Sequence, residues 1–213
     1  MVESSDVFEK NYQEYCAQMA KIDFESIKNE LGIIHDGGRM FIPFFNKRYL
    51  VSNNGILDES GNRPDYMISV IISKYILLCP GRSHVDNEWV SFKDFKRASH
   101  FTNVNYFSSD TESVIERHFS GKLNELKKAC EELDGSQHEM EISYDLSMRF
   151  DALPRVSLLL LFNDGDEEFP AKCTVLFRKH AEYYLDPESL AMAGACLARK
   201  LKRAWDRGQM IRK

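Results

Sequence analysis

The sequence predicts an α+β fold, with a mainly antiparallel sheet packed by a buried central helix and a C-terminal helix. Three observations carry this. Some stretches repeat apolar residues every three and four positions, and others repeat them every second position. The strand-like stretches are grouped rather than alternating one by one with helices, which favours antiparallel pairing. The 213 residues are 43% hydrophobic and 29% charged, near the balance of globular chains. A chain this long buries roughly 70% of its unfolded surface, so folding requires no disulfide or structural metal. No repeat or low-complexity linker divides it, and a single domain over residues 1–213 is expected.

Residues 6–31 read as two helices. Phe8, Tyr12, Tyr15, Cys16 and Met19 recur at helical spacing, and Phe24, Ile27 and Leu31 follow. Asp23 is placed to cap the second helix and Gly32 to end it. The period then shortens. Asp36-Gly37-Gly38 reads as a turn, residues 39–45 and 47–52 as short strands, and Asn53-Asn54-Gly55 as a second turn. Ile56 and Leu57 begin a third strand. Pro43 points to an edge or a bulge. Residues 64–79 are apolar almost all round, the mark of a buried helix, with Pro64 expected in its first turn.

Residues 82–108 are the least regular part. Trp89-Val90-Ser91-Phe92 alternates like a short strand, and Phe95, Phe101, Tyr106 and Phe107 follow. This aromatic stretch is expected to fill the core beneath a long loop or to wall a pocket. Ser109 and Glu112 stand at capping-box spacing, and the helix they open runs to Asp134-Gly135 with a bend or break at Gly121. Residues 140–151 alternate regularly and predict a long strand buried on one face. Residues 155–162 are apolar on both faces, hence central, and 172–177 return beside them. Asp186 and Pro187 open a last helix lined by Leu190, Ala193, Leu197, Leu201 and Ala204.

The net charge of −5 argues against duplex nucleic acid, whose partners carry a basic surplus. One end departs from this balance: Arg199 to Lys213 hold seven cations against one acid, Asp206. That end reads as the solvated end of a helix, with an anionic partner as the other reading. The five cysteines form no CxxC or CxxH pair, so no local zinc or iron–sulfur motif exists. Reduced thiols and an acidic, polar N-terminus unlike a signal peptide predict a cytoplasmic location. The longest apolar run, 157–162, is too short to span a bilayer, so a soluble chain is expected.

The most unusual chemistry lies at residues 164–171. Asp164, Asp166, Glu167 and Glu168 crowd one turn, where repelling carboxylates favour a cation, a basic partner or a raised pKa. A solvated hairpin loop is the plainer reading, and the pattern of an EF-hand is missing. His84 and Asp86 precede Trp89, with Ser83 and Ser91 near, but no GxSxG elbow accompanies them. His180, after Arg178 and Lys179, is expected at the surface. Trp89, with the aromatics after it and Lys93, Lys96 and Arg97, has the composition of a base-stacking surface, though core packing explains it better. No glycine pattern matches a dinucleotide or phosphate loop.

The order of these landmarks resembles an uncharacterised bacterial and archaeal family, domain-of-unknown-function family 3786, over roughly residues 8–203. The resemblance rests on Phe41 through Gly55, Tyr75 to Leu78, Trp89-Val90-Ser91-Phe92, and Phe119 with Leu133 to Gly135. Its strongest part is Leu158 to Phe162, Asp166-Glu167-Glu168-Phe169-Pro170-Ala171, Val175-Leu176-Phe177 and Tyr184-Leu185. The resemblance implies no assigned activity. Some members look fused to an iron–sulfur-binding segment, and this chain departs there, having no clustered cysteines. If the acidic segment is a family signature, its carboxylates carry either a function or the cap of a strand or helix end.

Two functions follow from the residues. The first is a non-enzymatic binding or accessory module for a protein or small-molecule partner, with no catalytic residue, metal ligand or cofactor assigned. The alternative is a small metal- or carboxylate-dependent enzyme using the 164–168 loop. It requires Asp166, Glu167 and Glu168 in one cleft with the Trp89–Phe107 stretch and a histidine such as His84 or His100.

Overall fold

The second helix, α2 (Phe24–Leu31), begins and ends where its capping residues put it. The Asp23 carboxylate accepts the Glu25 N–H, and Gly32 closes the helix at φ 66°. It follows α1 (Val2–Met19). The computed structural model describes residues 2–36, 39–52, 54–95 and 104–210. Phe101, His100, Lys96 and Arg97, like the end of the basic segment at residues 211–213, lie outside these.

Four short strands form one antiparallel meander: β1 (Ile34–Asp36), β2 (Arg39–Phe44), β3 (Lys47–Ser52) and β4 (Gly55–Leu57). Pro43 pairs with Arg48 beyond the last residue that β1 reaches, so it sits at a local edge. The second sheet holds β5 (Trp89–Ser91), β6 (Ser136–Gln137), β7 (Leu146–Leu153), β8 (Val156–Asn163) and β9 (Lys172–Arg178). Its order is β5-β9-β8-β7-β6, antiparallel throughout. The tip of the β2–β3 hairpin joins the sheets: the Phe45 N–H donates to the Ala152 carbonyl, and Asn46 donates to the Glu132 carbonyl.

α3 (Tyr66–Leu77) is the buried helix, and it packs against the C-terminal helix α7 (Pro187–Met210). Between them in sequence lie α4 (Val104–Phe107), a π-helical stretch (Ser108–Glu112), α5 (Ser113–Phe119) and α6 (Leu123–Glu132). Gly121, at φ 70°, stands at the break between α5 and α6. A contiguous core runs through both sheets, drawing Phe150, Leu158, Leu160, Phe162 and Phe177 from one face of the larger sheet. Phe92, Phe95 and Phe107 gather round Phe177, so this part of the aromatic stretch fills the core. The fold is α+β. Among the described residues no helix is long and apolar enough to cross a membrane.

Several expectations are corrected. Pro64 stands outside α3, because Asp65 is the cap and accepts the Ile68 N–H. The Ser109–Glu112 capping box is not used: the helical run already begins at Val104, and Ser109 Oγ donates to the Tyr106 carbonyl. The freed Glu112 and Glu116, one turn apart, instead accept the Val175 and Cys173 N–H groups of β9. β5 pairs only with 176–178, so these carboxylates satisfy an edge that would otherwise be bare. The long strand begins at Leu146 rather than 140. β8 sets Phe162 opposite Leu146 and ends one residue later at Asn163, whose side chain accepts the Asp145 N–H, so residues 140–144 alternate with no β8 residue to pair with.

The basic end is also less solvated than expected. Arg199 pairs with Asp65, and Lys200 lies over the Phe44 and Phe45 rings, where burial lowers its amine to about 8. His180 is half-buried, with its Nδ1 held between the N–H and carbonyl of Asp86.

Candidate functional site

Strand alternation gives the larger sheet a second face, opposite the core. The residues turned toward it are polar at the margins and apolar in the middle. Leu159 and Leu161 of β8 are 0% and 3% exposed although they point away from the main core. The polar residues come from every strand of the sheet or its end: Trp89 from β5, Arg178 from β9, Ser157 from β8, Arg149 and Asp151 both from β7, and His138 just after β6.

Cross-strand pairing builds this cluster. Trp89 stands opposite Arg178, whose guanidinium carbon lies 3.8 Å from the centre of the indole ring. Asp151 stands opposite Ser157, which donates to its carboxylate at 2.6 Å. Arg149, two residues along the same strand face, donates to that same oxygen through Nε at 3.2 Å and Nη2 at 2.8 Å. Asp151 is thereby neutralised. Arg178 donates to the Asn87 carbonyl, and among the described residues it forms no ion pair. Asp151 and Asp86 lie near enough to favour its charge, and Arg149 opposes it.

His138 completes the cluster from the far side. Its N–H bonds the Ser147 carbonyl, and that row leads through Leu161 to Thr174, four residues along β9 from Arg178. Yet the Trp89 indole N–H donates to His138 Nε2 at 3.2 Å, with the two rings edge to face. Two opposite edges of a five-stranded sheet meet above its face. Only a strongly twisted and coiled sheet brings such corners together. The bond requires a bare Nε2, so His138 is neutral with its proton on Nδ1. Burial lowers the imidazole below the ordinary histidine range, and Arg178 and Arg149 lower it further. His138 also lines a hollow of about 530 Å³ between residues 137–147 and the first turns of α6, which Met140 and Ile142 make partly apolar.

The structure divides the expected site residues into two groups. Trp89 belongs to the cluster. Ser91 shares its strand, and its backbone N–H donates to Asp94. His84 lies before β5, its ring stacked on Tyr183 and its backbone gripped by the Tyr184 hydroxyl. The acidic residues lie at the other end of β9: Trp89 pairs with Arg178, whereas the loop precedes Lys172, six residues and about 20 Å away. The carboxylates and the Trp89 region are not brought into one cleft.

The acidic loop has a structural account. Asp164 Oδ1 accepts the N–H groups of Gly121 and Gly165, tying the loop to the α5–α6 break. Asp166 Oδ1 accepts those of Phe169 and Glu168, and these bonds hold its carboxyl below the usual range. Glu167 and Glu168 are exposed. Among the described residues no three His, Cys, Asp or Glu side chains are placed to hold a metal ion.

Sequence reasoning missed His138, Arg149, Asp151 and Arg178 as a group. The one signal available was that Arg149 and Asp151 occupy polar positions of an alternating strand. Residues 23–200 match the model of the family described as Domain of unknown function (DUF3786), and the chain belongs to that family. No curated protein and no solved structure matches it.

Proposed function

We propose that this family member is a non-enzymatic binding module whose binding surface is the outer face of the five-stranded sheet, and that its ligand is a small organic carboxylate. The observation that carries the reading is Arg178: a guanidinium stacked on Trp89, beside a second arginine, with no ion pair among the described residues. Buried or half-buried arginines attract planar anions in a fork geometry. Asp151 on the same face sets the charge. One added negative charge is matched by Arg178, whereas a doubly charged phosphate would also repel the Asp151 carboxylate. The hollow beside His138 offers Met140 and Ile142 to an apolar body.

The test is a titration of the protein with benzoate and, separately, with inorganic phosphate, followed by NMR of the Trp89 indole and arginine side-chain signals. Saturable shifts with benzoate, weaker ones with phosphate and their loss in Arg178→Gln support the reading. Equal responses in wild type and Arg178→Gln, or none, refute it.

A further inference from the structure

We infer that carboxylate binding on this face opens the Trp89–His138 bond and is coupled to uptake of one proton by His138. The inference rests on the binding reading above and adds its regulation. His138 stands between the hollow and the arginines: it lines the first, and its Trp89 partner lies on Arg178. A ligand with its carboxylate at Arg178 and its body in the hollow must displace this bridge. Once displaced, His138 has no indole donor to accept and an anion beside it. The proton comes from solvent and goes to Nε2, which then donates where it formerly accepted.

The groups facing the imidazole make the direction definite. Arg178 of β9 and Arg149 of β7 oppose its charge, and Glu139 beside it in the chain favours it. Lys127 of α6 and Asp145 line the same hollow with opposite signs. In the free protein burial and then the two arginines oppose the charge, and Trp89 occupies Nε2. A bound carboxylate offsets Arg178, the stronger of the two charges that oppose protonation after burial, and opening the bridge frees Nε2. Ligand and proton therefore bind cooperatively, each strengthening the other by the same factor.

The experiment is calorimetric titration of the full chain with benzoate at pH 7.5 in two buffers of different ionisation enthalpy, together with an NMR titration of the His138 ring with and without saturating benzoate. The inference expects net proton uptake approaching one per benzoate, and a His138 midpoint that rises on binding. Affinity then increases up to about tenfold per unit fall in pH between the two midpoints. His138→Gln, which retains an acceptor but does not titrate, is expected to bind with no proton uptake. Binding with unchanged protonation, or equal uptake in His138→Gln, overturns the inference while leaving the binding reading intact. Absence of any benzoate binding overturns both. The wild-type NMR titration decides the matter even if the variant fails to fold.

Discussion

Trp89 and His138, 49 residues apart in sequence and on opposite edges of one sheet, share a hydrogen bond of 3.2 Å above the sheet's outer face. Arg178 stacks on the same indole. Trp89→Phe keeps the ring but removes the N–H. It is expected to destabilise the fold by about 1–2 kcal/mol, the sum of one net hydrogen bond and a weakened cation–π contact. Urea unfolding measures it. A change below roughly 0.3 kcal/mol, the error of such comparisons, would show that the bridge contributes little.

Burial of His138, with Arg178 and Arg149 beside it, sets a pH dependence. His138 binds a proton more weakly folded than unfolded, so on acidification the unfolded chain takes up protons first. Stability therefore rises with pH through this window and is lost as pH falls below the ordinary histidine value of about 6.5. His118 and His180, both lowered chiefly by burial, act in the same direction. His138→Gln should lose less stability than wild type between about pH 7.5 and about pH 5.5, roughly one unit either side of that value. An unchanged difference would remove His138 from the explanation.

Glu116 and Glu112 predict a second effect, on the open edge of β9. Glu116→Ala leaves the Cys173 N–H without its 2.8 Å partner and Lys172 without its ion pair. A loss of about 1.5–3 kcal/mol is expected, the range for hydrogen bonds to charged groups. Amide exchange at Cys173 should accelerate more than at Leu160 in the strand centre. Equal acceleration at both sites would mean that the edge is not locally held by this carboxylate.

Gly55 offers a steric test. An alanine Cβ there would meet the Tyr12 hydroxyl at 2.5 Å, the same hydroxyl that accepts the Ile56 N–H, and φ is 113°. Gly55→Ala is expected to cost at least about 2 kcal/mol from clash and backbone strain together. Gly61→Ala, with φ 79° but open space around it, should cost only about 1 kcal/mol. Thermal unfolding of the pair checks the order, and a reversed order contradicts it.

The acidic loop is predicted to divide by residue. Asp164→Ala cuts the tie to Gly121 and should destabilise by about 1 kcal/mol. Glu167→Gln and Glu168→Gln, at exposed positions, should stay within about 0.5 kcal/mol of wild type. Urea midpoints for the three variants decide this, and a large effect of Glu167→Gln alone would indicate a role that the backbone bonds do not explain.

Local signals made much of the fold legible. Asp23, Gly32, Asp186 and Gly121 sit at helix ends because capping and positive φ act within a few residues. The β7–β8–β9 order follows from alternation and turn residues in the same way. What was illegible depends on partners distant in sequence. Residues 140–144 alternate like a strand but have no neighbour, because pairing is decided by where β8 stops. The carboxylates of Asp164 and Asp166 looked chemically free because backbone N–H donors leave no trace in a sequence. His138 showed no motif, since its meaning comes from a sheet coiled tightly enough to bring Trp89 to it.

The tautomer of His138 tests this account most directly. Nitrogen-15 NMR of the imidazole at about pH 8, roughly 1.5 units above the ordinary histidine value, distinguishes a bare from a protonated Nε2. The account predicts a proton on Nδ1, a bare Nε2, and a Trp89 indole proton close in space to the His138 ring. A proton on Nε2, or an indole proton exchanging as fast as that of free indole, would contradict it.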